Sequence, residues 1–246
     1  MKRVFHRPKI ALSALSIAAI LVGFGCHSPA TTSGEPEEAN GAGSFAWMGE
    51  AHNDGLDYGI ARAAVAGKVD RDLVVRLTES FLAQREEEMA KRGYTPFALD
   101  YYDLIDQALG GEERFLDILG NRLAEGAVSG EFHRFATEML ALAGEEDLAG
   151  LGRLGEEAAR SKMSDTERTG ILASLAIAEA SLTYWTGVRE SGGAGKNLIR
   201  WRRILTADLV GALGGAMAGA VGGPVGAGAG ACGGALAGSM GCWLLG

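Results

Sequence analysis

The chain has 246 residues, of which 47 % are apolar and 22 % are charged, and its formal net charge is −8. Residues 1–26 contain four basic residues and no acidic one, so the rest of the chain has 19 basic against 31 acidic residues, a net charge of −12. That sign disfavours nucleic acid as a partner. With only three cysteines, at positions 26, 232 and 242, a disulfide framework and a zinc knuckle are excluded.

Residues 1–26 have the order of a secretory signal peptide, with a basic start followed by an apolar run from Ile10 to Gly25. This pattern predicts export, and an uncleaved N-terminal membrane anchor is the alternative. Gly25-Cys26 resembles the end of the lipobox of bacterial lipoproteins, which implies lipidation of Cys26. Cleavage after Ala30 by a general signal peptidase is the competing expectation.

Residues 27–44 are rich in Ser, Thr, Gly, Pro and Glu and contain no large apolar side chain. This composition predicts a disordered linker, because the segment cannot bury enough apolar surface to fold.

Residues 45–205 show apolar residues at intervals of three and four, which predicts an all-α bundle. Asp70 is a good N-cap for a helix that Gly93 ends, and Ser164 with Glu167 forms a capping box before a long apolar helix. Ser191-Gly192-Gly193 is expected to end that last helix. The shorter predicted helices are Phe97–Leu109, Glu112–Glu125 and Gly130–Leu142.

Residues 209–246 form a run of 38 residues without a charge, of which 14 are glycine. Many of these glycines recur every fourth residue in two ladders, and this spacing places each ladder on one helix face. A face without side chains lets another helix backbone approach closely, as in the interfaces of membrane helices. The first ladder is Gly211, Gly215, Gly219 and Gly223, and the second is Gly222, Gly226, Gly230, Gly234 and Gly238.

A single helix of 38 residues would be about 57 Å long, roughly twice the hydrocarbon core of a bilayer. The sequence Gly222-Gly223-Pro224 therefore predicts a turn, so that residues 206–246 form a glycine-zipper helical hairpin. Such a hairpin is expected to associate with membrane lipid and to form a homo-oligomer through its ladders. The alternative is a Gly/Ala-rich tail that is disordered or packs on its own domain.

Aromatic and basic residues flank this tract. Trp201, Arg202 and Arg203 precede the first arm, and Trp243 lies near the end of the second. These are the positions at which interfacial side chains anchor membrane spans, so the four residues are predicted interface anchors.

His52, Asn53, Asp54 and Asp57 form a polar cluster near the start of the helical domain. A histidine with carboxylates is typical of a metal site or of acid-base chemistry. The simpler interpretation is that Asn53 or Asp54 caps the following helix and Asp57 complements its dipole.

The segment from His52 to Tyr58, with Tyr184-Trp185 and the glycine-rich tail, resembles a group of uncharacterised exported bacterial proteins that share an H-N-x-G-L-D stretch. The resemblance extends over residues 45–246 and implies no particular activity. The tail alone is similar to glycine-zipper segments of envelope lipoproteins and of two-peptide bacteriocins, which implies insertion as close-packed helices.

From these patterns we expect an exported or envelope protein without enzymatic activity, cofactor or metal, whose hairpin inserts into a membrane as a pore or an antibacterial factor. A second hypothesis is a surface-displayed helical binding module with a passive C-terminal anchor. A third is an enzyme that uses His52, Asp54 and Asp57.

Overall fold

The computed structural model describes residues 42–95, 98–190 and 198–246, and every regular element in these ranges is a helix. The predicted all-α class is therefore confirmed. Short 3-10 helices cover Ala42–Phe45 and Ala220–Gly222. The α-helices are α1 Ala46–Ala63, α2 Arg71–Lys91, α3 Tyr101–Ala124, α4 Gly130–Gly144, α5 Leu148–Arg160, α6 Asp165–Glu190, α7 Leu198–Gly219 and α8 Gly223–Leu245.

The predicted helix ends at Asp70 and Gly93 are confirmed. The Asp70 carboxylate accepts a hydrogen bond from the Leu73 amide at 3.0 Å, which starts α2. Gly93 follows the end of α2 with a φ of +80°, a left-handed conformation that favours glycine.

Helix α3 joins the two helices predicted on either side of Gly110-Gly111. Gly111 has a φ of +77° and a ψ of −174°, so the helix has a kink at the glycine pair instead of a loop. The start predicted at Phe97 lies outside the described residues.

Helix α5 has no counterpart among the predicted elements. Asp147 caps it by accepting a hydrogen bond from the Gly150 amide at 2.8 Å. Helix α5 buries Leu151, Leu154 and Ala158 on one face. The three glycines among its 13 residues make this apolar pattern hard to recognise in the sequence.

The capping box at the start of α6 is confirmed. The Ser164 hydroxyl accepts from the Glu167 amide at 3.2 Å and donates to the Glu167 carboxylate. Glu167 also accepts from the Ser129 amide, and Ser129 itself caps α4. One carboxylate thus connects the beginnings of two helices, α4 and α6. The predicted end at residues 191–193 lies outside the described residues.

Helices α7 and α8 form the predicted hairpin, and it lies inside the bundle. Helices α1, α2, α3, α4 and α6 all contact it, while α5 packs outside against α4 and α6. All residues from Gly226 to Cys242 are buried. The division at residue 206 therefore does not separate a helical domain from a tail, because the tract packs on its own domain and forms its core.

The glycine ladders of α7 and α8 face each other. A Cβ added at Gly211 would overlap the Gly234 carbonyl oxygen, one at Gly215 would overlap that of Gly230, and one at Gly219 that of Gly226. Along these pairs the residue number rises in α7 and falls in α8, so the two helices are antiparallel, and their backbones are in direct contact. Beyond Gly211 the register continues with the Ala207 backbone against Gly238.

Two members of the predicted ladders belong to the turn instead. Gly222 ends the 3-10 helix, and Gly223 has a φ of +69° with nothing near its added Cβ. Pro224 follows in the first turn of α8, where a missing amide proton costs nothing. These three residues reverse the chain and leave the remaining glycines to pair.

We predict that Gly215→Ala destabilises the bundle, because the new methyl group must displace the Gly230 backbone, and backbone does not move as a flexible side chain does. Overpacking of this kind costs about 1–3 kcal/mol. The free energy of unfolding from chemical denaturation, followed by circular dichroism, measures the change.

Gly120→Ala is the matched control. Gly120 lies in α3 with nothing within 4 Å of its added Cβ, so helix propensity alone predicts stabilisation by up to about 1 kcal/mol. Equal effects of the two substitutions would contradict the backbone contact.

Candidate functional site

The surface of α8 that meets the surrounding helices carries few large side chains. Between Gly226 and Gly241, only Leu236 and Met240 have side chains larger than cysteine. These two fit against glycines of α1, since a Cβ added at Gly55 would overlap Leu236 and one added at Gly59 would overlap Met240. The glycine of the H-N-x-G-L-D stretch therefore makes room for a hairpin side chain.

Large side chains of the surrounding helices, and of the loop after α2, fit against hairpin glycines in the same way. Added Cβ atoms at Gly228, Gly233 and Gly241 would lie against Tyr94, Tyr101 and Ile105, respectively. Small residues thus line both contacts of α8, one with α7 and one with the surrounding helices.

Two segments of the described residues are long enough and apolar enough to cross a membrane, Asp165–Glu190 and Trp201–Leu245. The first is α6, whose buried face carries large residues such as Ile171, Leu175 and Trp185, as in an ordinary core helix. The second is the hairpin, whose α8 arm buries mainly glycine and alanine, while its α7 arm also buries large residues such as Ile204, Leu209 and Leu213. Only the second differs in composition from a core that water-soluble bundles use.

A buried polar network crosses the base of the hairpin. Asp208 of α7 is fully buried and accepts hydrogen bonds from the hydroxyls of Ser181 and Ser239. The Trp185 indole donates to the same carboxylate at 3.4 Å. His52 of α1 is fully buried, with Nε2 at 2.9 Å from the Ser239 hydroxyl oxygen and 4.0 Å from the Asp208 carboxylate.

Hydrogen-bond partners assign the protons of this network. The Asn53 amide nitrogen donates to the Ala180 carbonyl at 3.3 Å, so Asn53 Oδ1 accepts and His52 Nδ1, at 3.2 Å, carries a proton. If Ser239 donates to Asp208, Nε2 must donate to Ser239, and the pair is an imidazolium with a carboxylate.

The second arrangement has the same number of protons. If Ser239 donates to Nε2 of His52, Asp208 must be protonated to donate to Ser239. Both arrangements are neutral overall, which explains how a histidine and an aspartate are accommodated in an apolar core. The Ser239 hydroxyl also lies 2.8 Å from the Ala235 carbonyl, which is a further acceptor. The network therefore links α1, α6, α7 and α8 through hydrogen bonds that meet at Ser239 and Asp208.

The composition of the network, with Ser, His and Asp, resembles that of a catalytic triad, but its geometry differs. In a triad the carboxylate orients the imidazole, whereas here the Asp208 carboxylate contacts Ser239 and the imidazole Nδ1 faces Asn53. The described surface groove, which includes Glu146 and Leu182, contains no member of the network. The geometry suits a structural connection between the hairpin and its surroundings.

The polar cluster predicted around His52 is divided among three environments. His52 points into the core, Asp54 pairs with Arg85 at the surface, and Asp57 accepts from the Tyr184 hydroxyl at 2.7 Å. No group of three His, Cys, Asp or Glu side chains within the described ranges is placed to hold a metal ion.

The capping interpretation of this cluster was wrong. Helix α1 begins at Ala46, so Asn53, Asp54 and Asp57 lie within the helix and not at its start. Gly49, in the first turn, packs against Ala180 of α6. The helix is therefore already in place before Asn53 and Asp54, the residues expected to cap it.

The four predicted interface anchors are part of the folded bundle. Trp201 is buried, with the guanidiniums of Arg189 and Arg202 over its ring. Trp243 stacks on Trp185 with ring centroids 5.6 Å apart. Arg203 is exposed. In this conformation the two tryptophans pack against protein.

Glu146 connects the start of the hairpin to the bundle. Its carboxylate pairs with Arg202 at 2.8 Å and with Arg189 at 2.9 Å, and these two guanidiniums hold the pKa of Glu146 below its ordinary value. Its φ of +62° is unfavourable for a residue with a Cβ. The two ion pairs offset that strain.

Sequence reasoning missed Asp208, Ser181 and Ser239. Two signals were present: Asp208 is the last charge before the uncharged tract, and Ser239 is its only hydroxyl. A lone hydroxyl and a flanking carboxylate in an apolar stretch indicate that both have polar partners when buried.

This fold and this site define an all-α bundle built around a helical hairpin that is uncharged from residue 209 onward. No family model, no curated protein and no solved structure matches the chain.

We predict that His52 and Asp208 are energetically coupled. Asp208→Asn keeps the side-chain volume but removes the carboxylate that the two hydroxyls and the imidazole face, and breaking a buried pair costs about 3–5 kcal/mol. His52→Leu alone removes the imidazole that Ser239 connects to Asp208. The double variant is expected to be less destabilised than the sum of the single variants, with a coupling of about 1–3 kcal/mol.

Chemical denaturation of the four proteins of this cycle gives the coupling. Strict additivity would show that the two side chains are not coupled through Ser239.

We predict a pH-dependent contribution from Glu146. Because its folded-state pKa is lowered, the stabilisation is present above the unfolded pKa of about 4.3 and is lost as pH falls through the lower folded-state pKa. Glu146→Gln should therefore lower the free energy of unfolding by up to about 1 kcal/mol at neutral pH, and the difference should vanish in acid.

Glu145→Gln, at the adjacent exposed position, is the control for the loss of a negative charge alone. A difference between wild type and Glu146→Gln that persists in acid would contradict the ion-pair origin.

Proposed function

We propose that the protein acts on a membrane and that the α7–α8 hairpin is the inserting element, stored inside the bundle until a bilayer is present. The observation that carries the proposal is the enclosure, by five helices, of a hairpin of spanning length that carries no charge from residue 209 onward. Enclosure keeps in solution a tract that water would not solvate.

The paired ladders make the hairpin a unit that can move intact. Contacts between the backbones of α7 and α8 need no water-driven association, so they persist in lipid, where small-residue packing stabilises helix pairs. Interior glycines weaken a helix in water by about 1 kcal/mol each relative to alanine. In a bilayer an unpaired backbone amide costs several kcal/mol, which favours the helical state of the same sequence.

The α8 arm contributes few interlocking side chains, whereas the α7 arm also buries Trp201, Ile204 and Leu209, whose side chains would exchange protein contacts for lipid on release. Apolar burial stabilises in proportion to area, and glycine and alanine contribute little. Leu236 and Met240 are the large side chains that α8 inserts into α1, and the polar network at Asp208 is the specific connection. The surrounding helices would keep their charged faces in water and turn their apolar faces to the interface.

Localisation and partners follow from the same proposal. The basic and apolar pattern of residues 1–26 supports export to the cell envelope or outside it, with Cys26 as the candidate lipidation site. Membrane lipid is the proposed partner. Self-association would follow insertion, through glycines of α8 such as Gly228 and Gly233 that the surrounding residues cover in the bundle.

The second hypothesis, a binding module with a passive anchor, predicts that any membrane anchor can replace residues 205–246. That replacement would remove the core of the bundle, because the surrounding helices pack on the hairpin.

We predict that a disulfide between α6 and α8 abolishes membrane activity. A Cβ added at Gly170 would lie 3.8 Å from the Cβ of Ala227, the mean separation in disulfides. Oxidised Gly170→Cys/Ala227→Cys protein should therefore keep the hairpin in the bundle and release no dye from vesicles containing phosphatidylglycerol, whereas the reduced protein should release dye as wild type does.

Gly170→Cys alone is the matched control, since it adds the same side chain to α6 without the bond. Dye release by the oxidised double variant at the wild-type rate would refute insertion of the hairpin. Absence of release by wild type would refute membrane permeabilisation.

A further inference from the structure

The turn of the hairpin lies at the surface and carries no polar side chain. Residues 218–225 read Ala-Gly-Ala-Val-Gly-Gly-Pro-Val, and six of them besides Val221 are fully or partly exposed. Val221 is 90 % exposed and Val225 is 41 % exposed. Single exposed valines are ordinary, but here they belong to one continuous uncharged segment.

The other helix connections within the described ranges differ in composition, because each contains a charged residue, as surface loops normally do. Examples, one from each connection, are Lys68, Arg92, Glu125, Glu145 and Lys162.

The turn is also held in a defined shape. The 3-10 helix Ala220–Gly222, the left-handed Gly223 and the ring of Pro224 determine the chain path. Val221 is therefore presented outward by the backbone, and its exposure does not require any part of the bundle to open.

We propose that this turn, residues 218–225, is the surface that first contacts a lipid bilayer, before the hairpin leaves the bundle. This inference rests on the proposed function and states which part of the protein meets the bilayer first. The turn is continuous with both arms of the hairpin, so apolar contact at the turn leads directly to the segment that enters the membrane.

Lipid fits this surface for two reasons. The exposed groups are small and apolar without a charge or a pocket, so they offer a partner neither an ion pair nor a shape to recognise. A bilayer interface accepts such groups, and it also hydrates the backbone amides of the turn. Contact is therefore expected on phosphatidylcholine alone and does not depend on anionic lipid.

The first test separates contact from insertion. Val221→Trp is placed in the Gly170→Cys/Ala227→Cys protein, which is oxidised so that the hairpin stays in the bundle, and is mixed with phosphatidylcholine vesicles whose acyl chains are brominated. Quenching of the added indole, beyond that of the four native tryptophans, is expected. Val65→Trp in the same background is the control, because Val65 is 86 % exposed and lies after α1.

Equal quenching of both variants, or of neither, would overturn the assignment of the turn. Quenching of Val221→Trp alone supports it even if wild type releases no dye, and in that case only the proposed permeabilisation fails.

The second test measures the consequence for activity. Val221→Asp puts a carboxylate at the leading point of the hairpin, which should slow dye release by about tenfold or more, because a charge must enter the bilayer with the turn. Val65→Asp should release dye at the wild-type rate. Both positions are exposed, so circular dichroism should show unchanged folds, and equal rates for the two variants would contradict the proposal.

Discussion

Direct contact between the backbones of α7 and α8 is the constraint on which the rest of the structure depends. Three glycine pairs, beginning with Gly211 and Gly234, leave no space for a Cβ between the helices. The hairpin is therefore thin, and five helices can surround it within one bundle. A hairpin of ordinary width, with leucines at these positions, would separate α1 and α3 and open the core.

The small residues of α8 have a second consequence, which is that its contacts with the surrounding helices do little to define its position. Few large side chains fix α8 against its neighbours, so position depends on Leu236, Met240 and the Asp208 network. Burial of small residues gives little free energy per residue. Helix α8 is thus buried from Gly226 to Cys242 with few interlocking side chains, which is the condition that the proposed release of the hairpin requires.

Sequence reasoning predicted the local features well, because they depend on neighbouring residues. Each of these features depends on residues only a few positions apart in the sequence. They are the cap at Asp70, the capping box at Ser164, the glycine ladders and the turn near Pro224. It did not predict that the tract lies inside the bundle, nor the contact of His52 with Ser239, which are 187 positions apart. Such contacts depend on how the faces of several helices meet, which periodicity in one helix does not determine.

The position of α8 in chain order has a consequence for folding. Every helix that surrounds the hairpin precedes α8 along the chain, so all of them leave the ribosome before the element on which they pack. Until then their apolar faces have no partner, and the contacts that complete the core close loops of up to 187 residues. The native core therefore cannot form until α8 has been synthesised.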